Sequence, residues 1–251
     1  MDSQKFNKWF SAFILIGMTL ALVVVTALKL KDPGVAKALL LVSAFGSLMG
    51  VLSTVCSANG LIITFFFGLL DVSIYGIMCF VNWRHGNPGL GNALLHAAYF
   101  VPMQFVGFAQ WRRRGASTAG EAVKAKRLNG RQWLLVSATF LLGTVVSYLV
   151  IAQFDKPAAD SFFRYAVLLD VLPLMCNIFG QMLMSMAYME QWIFWIGVNI
   201  FSIAMWLSSM HGQADSFAVV YVIKYSFYML NSINGLRVWL GLSRSGEVCS
   251  C

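Results

Sequence analysis

The segment Phe66–Val72 reads FFGLLDV and Phe194–Ile200 reads FWIGVNI, a match that sets Phe67 against Trp195 and Asp71 against Asn199 at an offset of 128. A second pair, FVGFAQW at Phe105–Trp111 and INGLRVW at Ile233–Trp239, aligns Gly107 with Gly235 and Trp111 with Trp239 at the same offset of 128. One offset serving two separate segments marks an internal duplication. Both segments lie in long apolar runs of about 20 residues, the length a helix needs to cross a hydrocarbon core of about 30 Å. Runs of this kind recur along the whole chain. The duplicated unit is therefore a set of membrane helices.

Composition agrees. Of 251 residues, 59 % are hydrophobic and 11 % charged, where soluble domains carry about 25 % charged. A mean hydropathy of +0.73 leaves too little polar surface to coat a globule. The reading is an all-α, polytopic membrane protein. Backbone groups in hydrocarbon must satisfy one another, so the spans are helices, and no ten-residue alternation suggests a β-barrel. Eight spans are expected: Phe10–Leu30, Ala38–Ser57, Leu61–Val81, Leu90–Trp111, Trp133–Phe154, Tyr165–Tyr188, Gln191–Met210 and Phe217–Leu242. The basic start MDSQKFNKWF leads into a run too long for a signal peptide and reads as a first membrane helix.

The net charge of +8 would suggest nucleic acid in a soluble domain. Here much of it sits in one loop, Arg112–Arg131, with Arg112, Arg113, Arg114, Lys124, Lys126, Arg127 and Arg131. By the positive-inside rule this loop is cytoplasmic, and eight spans then place both termini there too. Spans two to four repeat as spans six to eight, with the fifth as a linker that keeps the two units parallel. The segments expected are an N-terminal tail and accessory helix (1–37), a first three-helix bundle (38–111) and the basic loop with its linker helix (112–164). A second three-helix bundle (165–242) and a cytoplasmic tail (243–251) follow.

Chemistry is sparse. Three of the five cysteines (Cys56, Cys79, Cys176) lie in apolar spans and Cys249 and Cys251 in the tail, without zinc-site or disulfide-framework spacing. No nucleophile–base pair or phosphate-binding glycine loop appears, so neither an enzyme nor an ATP-driven pump is expected, and no cofactor or metal. Amides and aromatics stand out instead. Trp192, Trp195, Asn199, Ser202 and Trp206 share one face of the seventh span. The two leading tryptophans fit an interfacial belt as well as a binding box, but Asn199, a turn deeper, needs a partner in hydrocarbon. Asn177 and Gln181 point the same way from the sixth span, with Asp170 on their face. The alternative for these amides is interhelical glue. His96, Phe100 and Gln104 share a side of the fourth span, where Pro102 breaks the backbone ladder; Pro173 does so in the sixth. Asp71 and Lys224 are charges inside spans, where a charge is costly and marks function. Tyr228 and Asn231 follow Lys224 on its face. This set suits a neutral or cationic heteroaromatic ligand held by stacking and cation–π attraction.

The stretches Asn59–Ile77, Tyr99–Trp111, Asn177–Ile203 and Ile233–Trp239 together resemble the PnuC family of bacterial vitamin transporters, over about residues 40–242. The most specific block is Glu190, Trp192, Trp195 and Asn199, preceded by Asn177 and Gln181. The resemblance implies a 3+1+3 helix core like that of the SWEET sugar transporters. It also implies inner-membrane uptake of nicotinamide riboside by facilitated diffusion, with trapping by cytoplasmic phosphorylation. It implies a site between the bundles at Trp192, Trp195, Asn199, Asn177 and Gln181. Phe66, Phe67 and Gln104 are added from the opposite repeat, and Tyr228 and Asn231 from the eighth span. The expected partners are this small molecule and the bilayer, with a homo-oligomer, as a trimer, left open. Two alternatives stand beside this reading: the same architecture carrying thiamine or another vitamin, and a membrane receptor subunit that transports nothing.

Overall fold

The computed structural model describes residues 3–31, 37–84, 90–154, 165–209 and 216–247. The described residues are helical apart from short turns and one loop. The helices are α1 (Ser3–Lys29), α2 (Lys37–Ala58), α3 (Thr64–Arg84), α4 (Leu90–Leu95), α5 (Val101–Arg113), α6 (Gly130–Phe154), α7 (Tyr165–Ser185), α8 (Gln191–Ser209) and α9 (Ser216–Glu247). A π-helical turn, His96–Phe100, joins α4 to α5, so 90–113 forms one rod and the described residues make eight rods. Among the described residues five helices are long and apolar enough to cross a membrane, and α8 contains a shorter apolar helix. The end of the tail, with Cys249 and Cys251, and the charges Lys156 and Arg164 lie outside the described residues.

The π turn has a local cause. Pro102 follows it at the start of α5, and proline offers no N–H and crowds the carbonyl four residues back. The Val101 N–H bonds the His96 carbonyl, five residues earlier, and the ladder absorbs one extra residue there. The bulge turns His96 and Phe100 inward. Pro173 is carried inside α7, and there the Asn177 side chain donates to the Pro173 carbonyl at 2.8 Å.

Lipid-facing and core-facing sides separate cleanly. Leu134, Leu135, Leu141 and Leu142 on α6, Ile16 on α1 and Phe105 on α5 are each more than half exposed. Outward apolar surface of this extent suits hydrocarbon, where backbone satisfied within helices can face lipid. The core divides in three. Ile14, Met18 and Val51 tie α1 to α2, with Phe227 of α9 against them. Val136 of α6 packs with Val167, Val171, Met175, Phe179, Phe194 and Val198 of α7 and α8. The third cluster joins both halves of the chain: Phe65, Trp111, Met184, Trp192 and Trp239, with Ala116, Val123 and Ala125 from the basic loop.

That third cluster depends on two glycines from the duplicated segments. A Cβ on Gly107 would lie 2.2 Å from the Phe65 ring, and one on Gly235 would lie 2.6 Å from the Trp192 ring. Each ring lies against bare backbone. Gly107→Val and Gly235→Val should each destabilise the purified protein by about 1–3 kcal/mol through overpacking. Gly241→Val, with nothing within 4 Å of its would-be Cβ, should leave the detergent unfolding temperature unchanged.

Candidate functional site

The two halves are clasped at the end nearest the basic loop. Trp111 and Trp239 are fully buried, and an indole N–H in such a place must find an acceptor. Each reaches across to the other half. The Trp111 Nε1–H donates to the Met184 carbonyl at 2.7 Å, and the Trp239 Nε1–H donates to the Ser57 carbonyl at 2.9 Å. The rings meet between the halves, Trp111 at 5.2 Å from Trp239 and edge-on to Phe65 at 4.8 Å, with Trp192 6.3 Å from Trp239.

The basic loop seals this end. Its Val123 N–H bonds the Gly60 carbonyl, and its Lys126 exchanges two backbone bonds with Ala187 and Met189. Gly60 and Ala187 both turn with positive φ, at 70° and 61°. Glu190, buried, accepts the Leu128 N–H at 2.9 Å. Lys126 lies over the Tyr188 ring at 4.4 Å; partial burial, and then the neighbouring Arg114, hold its ammonium below the usual lysine range.

Above the clasp lies a cavity of about 290 Å³, lined from both halves. Ligand sites typically run about 300–1,000 Å³ with a few convergent polar groups. Trp192, Trp195, Asn199, Asn177, Gln181, Gln104 and Tyr228 all line it. Four of these carry carboxamides, and each amide nitrogen is engaged by protein. Asn177 donates to Pro173 as above, Gln181 to Ser185 Oγ at 3.1 Å, Gln104 to the Phe100 carbonyl at 3.3 Å and Asn199 to Ser232 Oγ at 3.1 Å. The amide oxygens have no protein donor among the described residues. The lining is therefore rich in acceptors beside two indoles, and it offers itself to a ligand with hydroxyl and N–H donors on an aromatic ring.

Four residues from the sequence reading fall elsewhere. Phe66 is 57 % exposed on the outer face, with its ring edge-on to Phe67 at 5.7 Å, and neither lines the cavity. The period of α3 explains this, because Gly68 turns inward there. Asn231 is buried beside the cavity wall, donating to the Thr54 carbonyl at 3.2 Å, so it joins α9 to α2. Asp170 is exposed. His96 does line the cavity, between the Tyr75 and Phe100 rings at 4.7 and 4.8 Å.

Other lining residues escaped the sequence reading: Ser53, Thr54 and Ser57 of α2, and Asp71 as part of the site. Small hydroxyl side chains in an apolar run carry no periodic signal. Trp111 and Trp239 stood in the sequence as a repeat pair, but their cross-bonding needs three dimensions. Asp71 stood out as a charge, yet its seat could not be read: a Cβ on Gly50 would lie 2.8 Å from its Oδ2.

An all-helical membrane protein with a polar, aromatic-lined cavity between two clasped halves is built as a small-solute transporter, not as an enzyme. The family profile described as Nicotinamide mononucleotide transporter matches residues 40–241, and the chain belongs to that family. Among its relatives is a protein of Neisseria mucosa named Nicotinamide riboside transporter PnuC, 32 % identical over 203 residues, which cover 80 % of this chain and 72 % of the relative. A protein of the same name from Haemophilus influenzae is 32 % identical over 194 residues, 77 % of this chain and 76 % of the relative. A solved structure titled Crystal structure of the Vitamin B3 transporter PnuC superposes with a TM-score of 0.68 at 30 % identity, over 94 % of this chain and 93 % of that one.

The clasp yields its own prediction. Trp111→Phe and Trp239→Phe keep a ring and lose only the bond between halves, since the Met184 and Ser57 carbonyls still accept the Ala187 and Gly60 N–H groups, and each should cost about 0.5–1.5 kcal/mol. Thermal unfolding in detergent, followed by tryptophan fluorescence, measures the loss. A ring-preserving change that leaves the midpoint unmoved would mean that the bonds do not hold the halves.

Proposed function

We propose that this protein takes up nicotinamide riboside across the bacterial inner membrane by facilitated diffusion. The observation that carries this is the cavity lining: four carboxamides with free oxygens beside Trp192 and Trp195. Nicotinamide riboside has a cationic pyridinium, a carboxamide and a ribose. An indole face attracts the electron-poor ring by about 0.5–2 kcal/mol. The amide oxygens of Asn199, Gln104 and Gln181 accept from the carboxamide N–H groups, and Asn177 takes a ribose hydroxyl. Net accumulation comes from phosphorylation in the cytoplasm, so the carrier itself needs no ion coupling. The names of its relatives point to the same substrate.

The architecture proposed with this function is eight membrane spans in a 3+1+3 core of parallel repeats, as in the SWEET transporters, behind the accessory helix α1. The bundles are 38–111 and 165–242, flanked by segments 1–37, 112–164 and 243–251 as the sequence divides them. Two reciprocal features favour the repeat. Gly60 and Ala187 make the same positive-φ turn, and Phe65 on Gly107 matches Trp192 on Gly235. The matching helix starts, Thr64 and Gln191, favour an offset of 127 for α2 and α3. That sets Gly68 against Trp195 and Val72 against Asn199, one residue from the pairing of the sequence motifs, while 128 still serves Gly107 and Gly235. Both termini and the basic loop face the cytoplasm.

Uptake of labelled nicotinamide riboside into proteoliposomes tests the function. The parent should equilibrate it, and thiamine should compete poorly. Asn199→Leu and Gln181→Leu should each weaken binding by about 5- to 150-fold, the cost of leaving one buried polar group of the ligand unpaired, without changing membrane insertion. Variants that transport like the parent would make these amides interhelical glue. Topology has a separate test: a membrane-impermeant thiol reagent added to whole cells should fail to label Ser117→Cys.

A further inference from the structure

Asp71 is the one carboxylate on the wall of the central cavity. It reaches the cavity because α2 offers Gly50 opposite, where a Cβ would lie 2.8 Å from Oδ2. Among the described residues Asp71 has no hydrogen-bond partner, and the charge that acts on it is Lys224. Yet Lys224 does not share its cavity. It lines a second one, of about 160 Å³, between α1, α2 and α9, with Met18, Leu22, Ser47 and Phe227. Tyr228 lines both cavities and forms the wall between them. The Lys224 ammonium stands 5.5 Å from the Tyr228 ring and 5.8 Å from that of Tyr225. Other titratable groups around the central cavity are His96, Tyr225 and Tyr228.

This separation has a consequence for what can enter. A carboxylate and an ammonium in direct contact would cancel, and the cavity would treat charged and neutral ligands alike. With the ammonium set behind an aromatic wall, no cation among the described residues touches Asp71 directly, and the central cavity beside it has room for one. A charge held in a low-dielectric site without a direct partner is costly, and a cationic ligand relieves that cost by taking the partner's place. The effect is selective, because a neutral ring of the same shape gains nothing from it.

We infer that Asp71 is a specificity-determining residue that selects the cationic pyridinium form of the substrate over neutral aromatics, with Lys224 withdrawn behind Tyr228. The inference rests on the nicotinamide riboside reading above. It assigns to α3 of the first bundle the recognition of charge, while α7 and α8 of the second recognise the amide and ring.

The test compares nicotinamide riboside with its 1,4-dihydro form, which keeps ribose and carboxamide but has no charge on the ring. Binding to purified protein is followed by tryptophan fluorescence. The parent should prefer the cation by about tenfold or more, as expected for an opposite charge nearby in a low-dielectric site. Asp71→Asn, equal in size, should lower affinity for the cation by a similar factor and leave the dihydro form within about twofold. Retained binding of the dihydro form also reports that the variant is folded. Asp71→Glu should restore part of the preference. An Asp71→Asn protein whose preference for the cation equals the parent's, or that loses both ligands equally, overturns the assignment alone. A parent that binds neither ligand overturns the substrate reading and the assignment with it.

Discussion

Two indole-to-carbonyl hydrogen bonds hold the halves of this molecule together, Trp111 to Met184 and Trp239 to Ser57. In hydrocarbon, apolar contact between helices gains little over contact with lipid, so packing and hydrogen bonding must join them. Both bonds cross between halves, and both sit beside rings that press against glycine. They close one end of the interface, and the basic loop is threaded over them by backbone bonds to Gly60, Ala187 and Met189. The space left above the clasp is the cavity. Its position thus follows from where the halves are fastened.

Much of the fold was legible because membranes restrict the choices. An apolar run of about 20 residues can only be a helix in lipid, and the observed rods follow the expected spans closely. The repeated motifs share a single offset of 128. Short motifs cannot reveal a one-residue difference between the α2–α3 and α5 pairings, because only the turns at Gly60 and Ala187 fix it. The π turn before Pro102 was foreshadowed as a break, although no sequence rule says that it would absorb an extra residue.

For the site, the amides named from the sequence, Asn177, Gln181, Asn199 and Gln104, line the cavity, and Phe66, Phe67 and Asn231 do not. Asn177, Gln181 and Asn199 are amides in apolar helices, each an expensive choice that asks for a reason, and all three line the cavity. Phe66 and Phe67 were chosen as counterparts of Trp195, but at this level of α3 it is Gly68 that lines the cavity. The second half supplies both indoles and the amides Asn177, Gln181 and Asn199, and the first supplies Gln104, small hydroxyls and a carboxylate.

The central claim is that the cavity between the clasped halves recognises a cationic pyridine riboside. The most direct measurement is the binding of a small vitamin panel to the purified protein, read by the fluorescence of Trp192 and Trp195, which line the cavity. Nicotinamide riboside should alter the emission saturably, and thiamine and riboflavin should do so only at far higher concentration. A stronger response to thiamine or riboflavin, or none to nicotinamide riboside, would contradict the account.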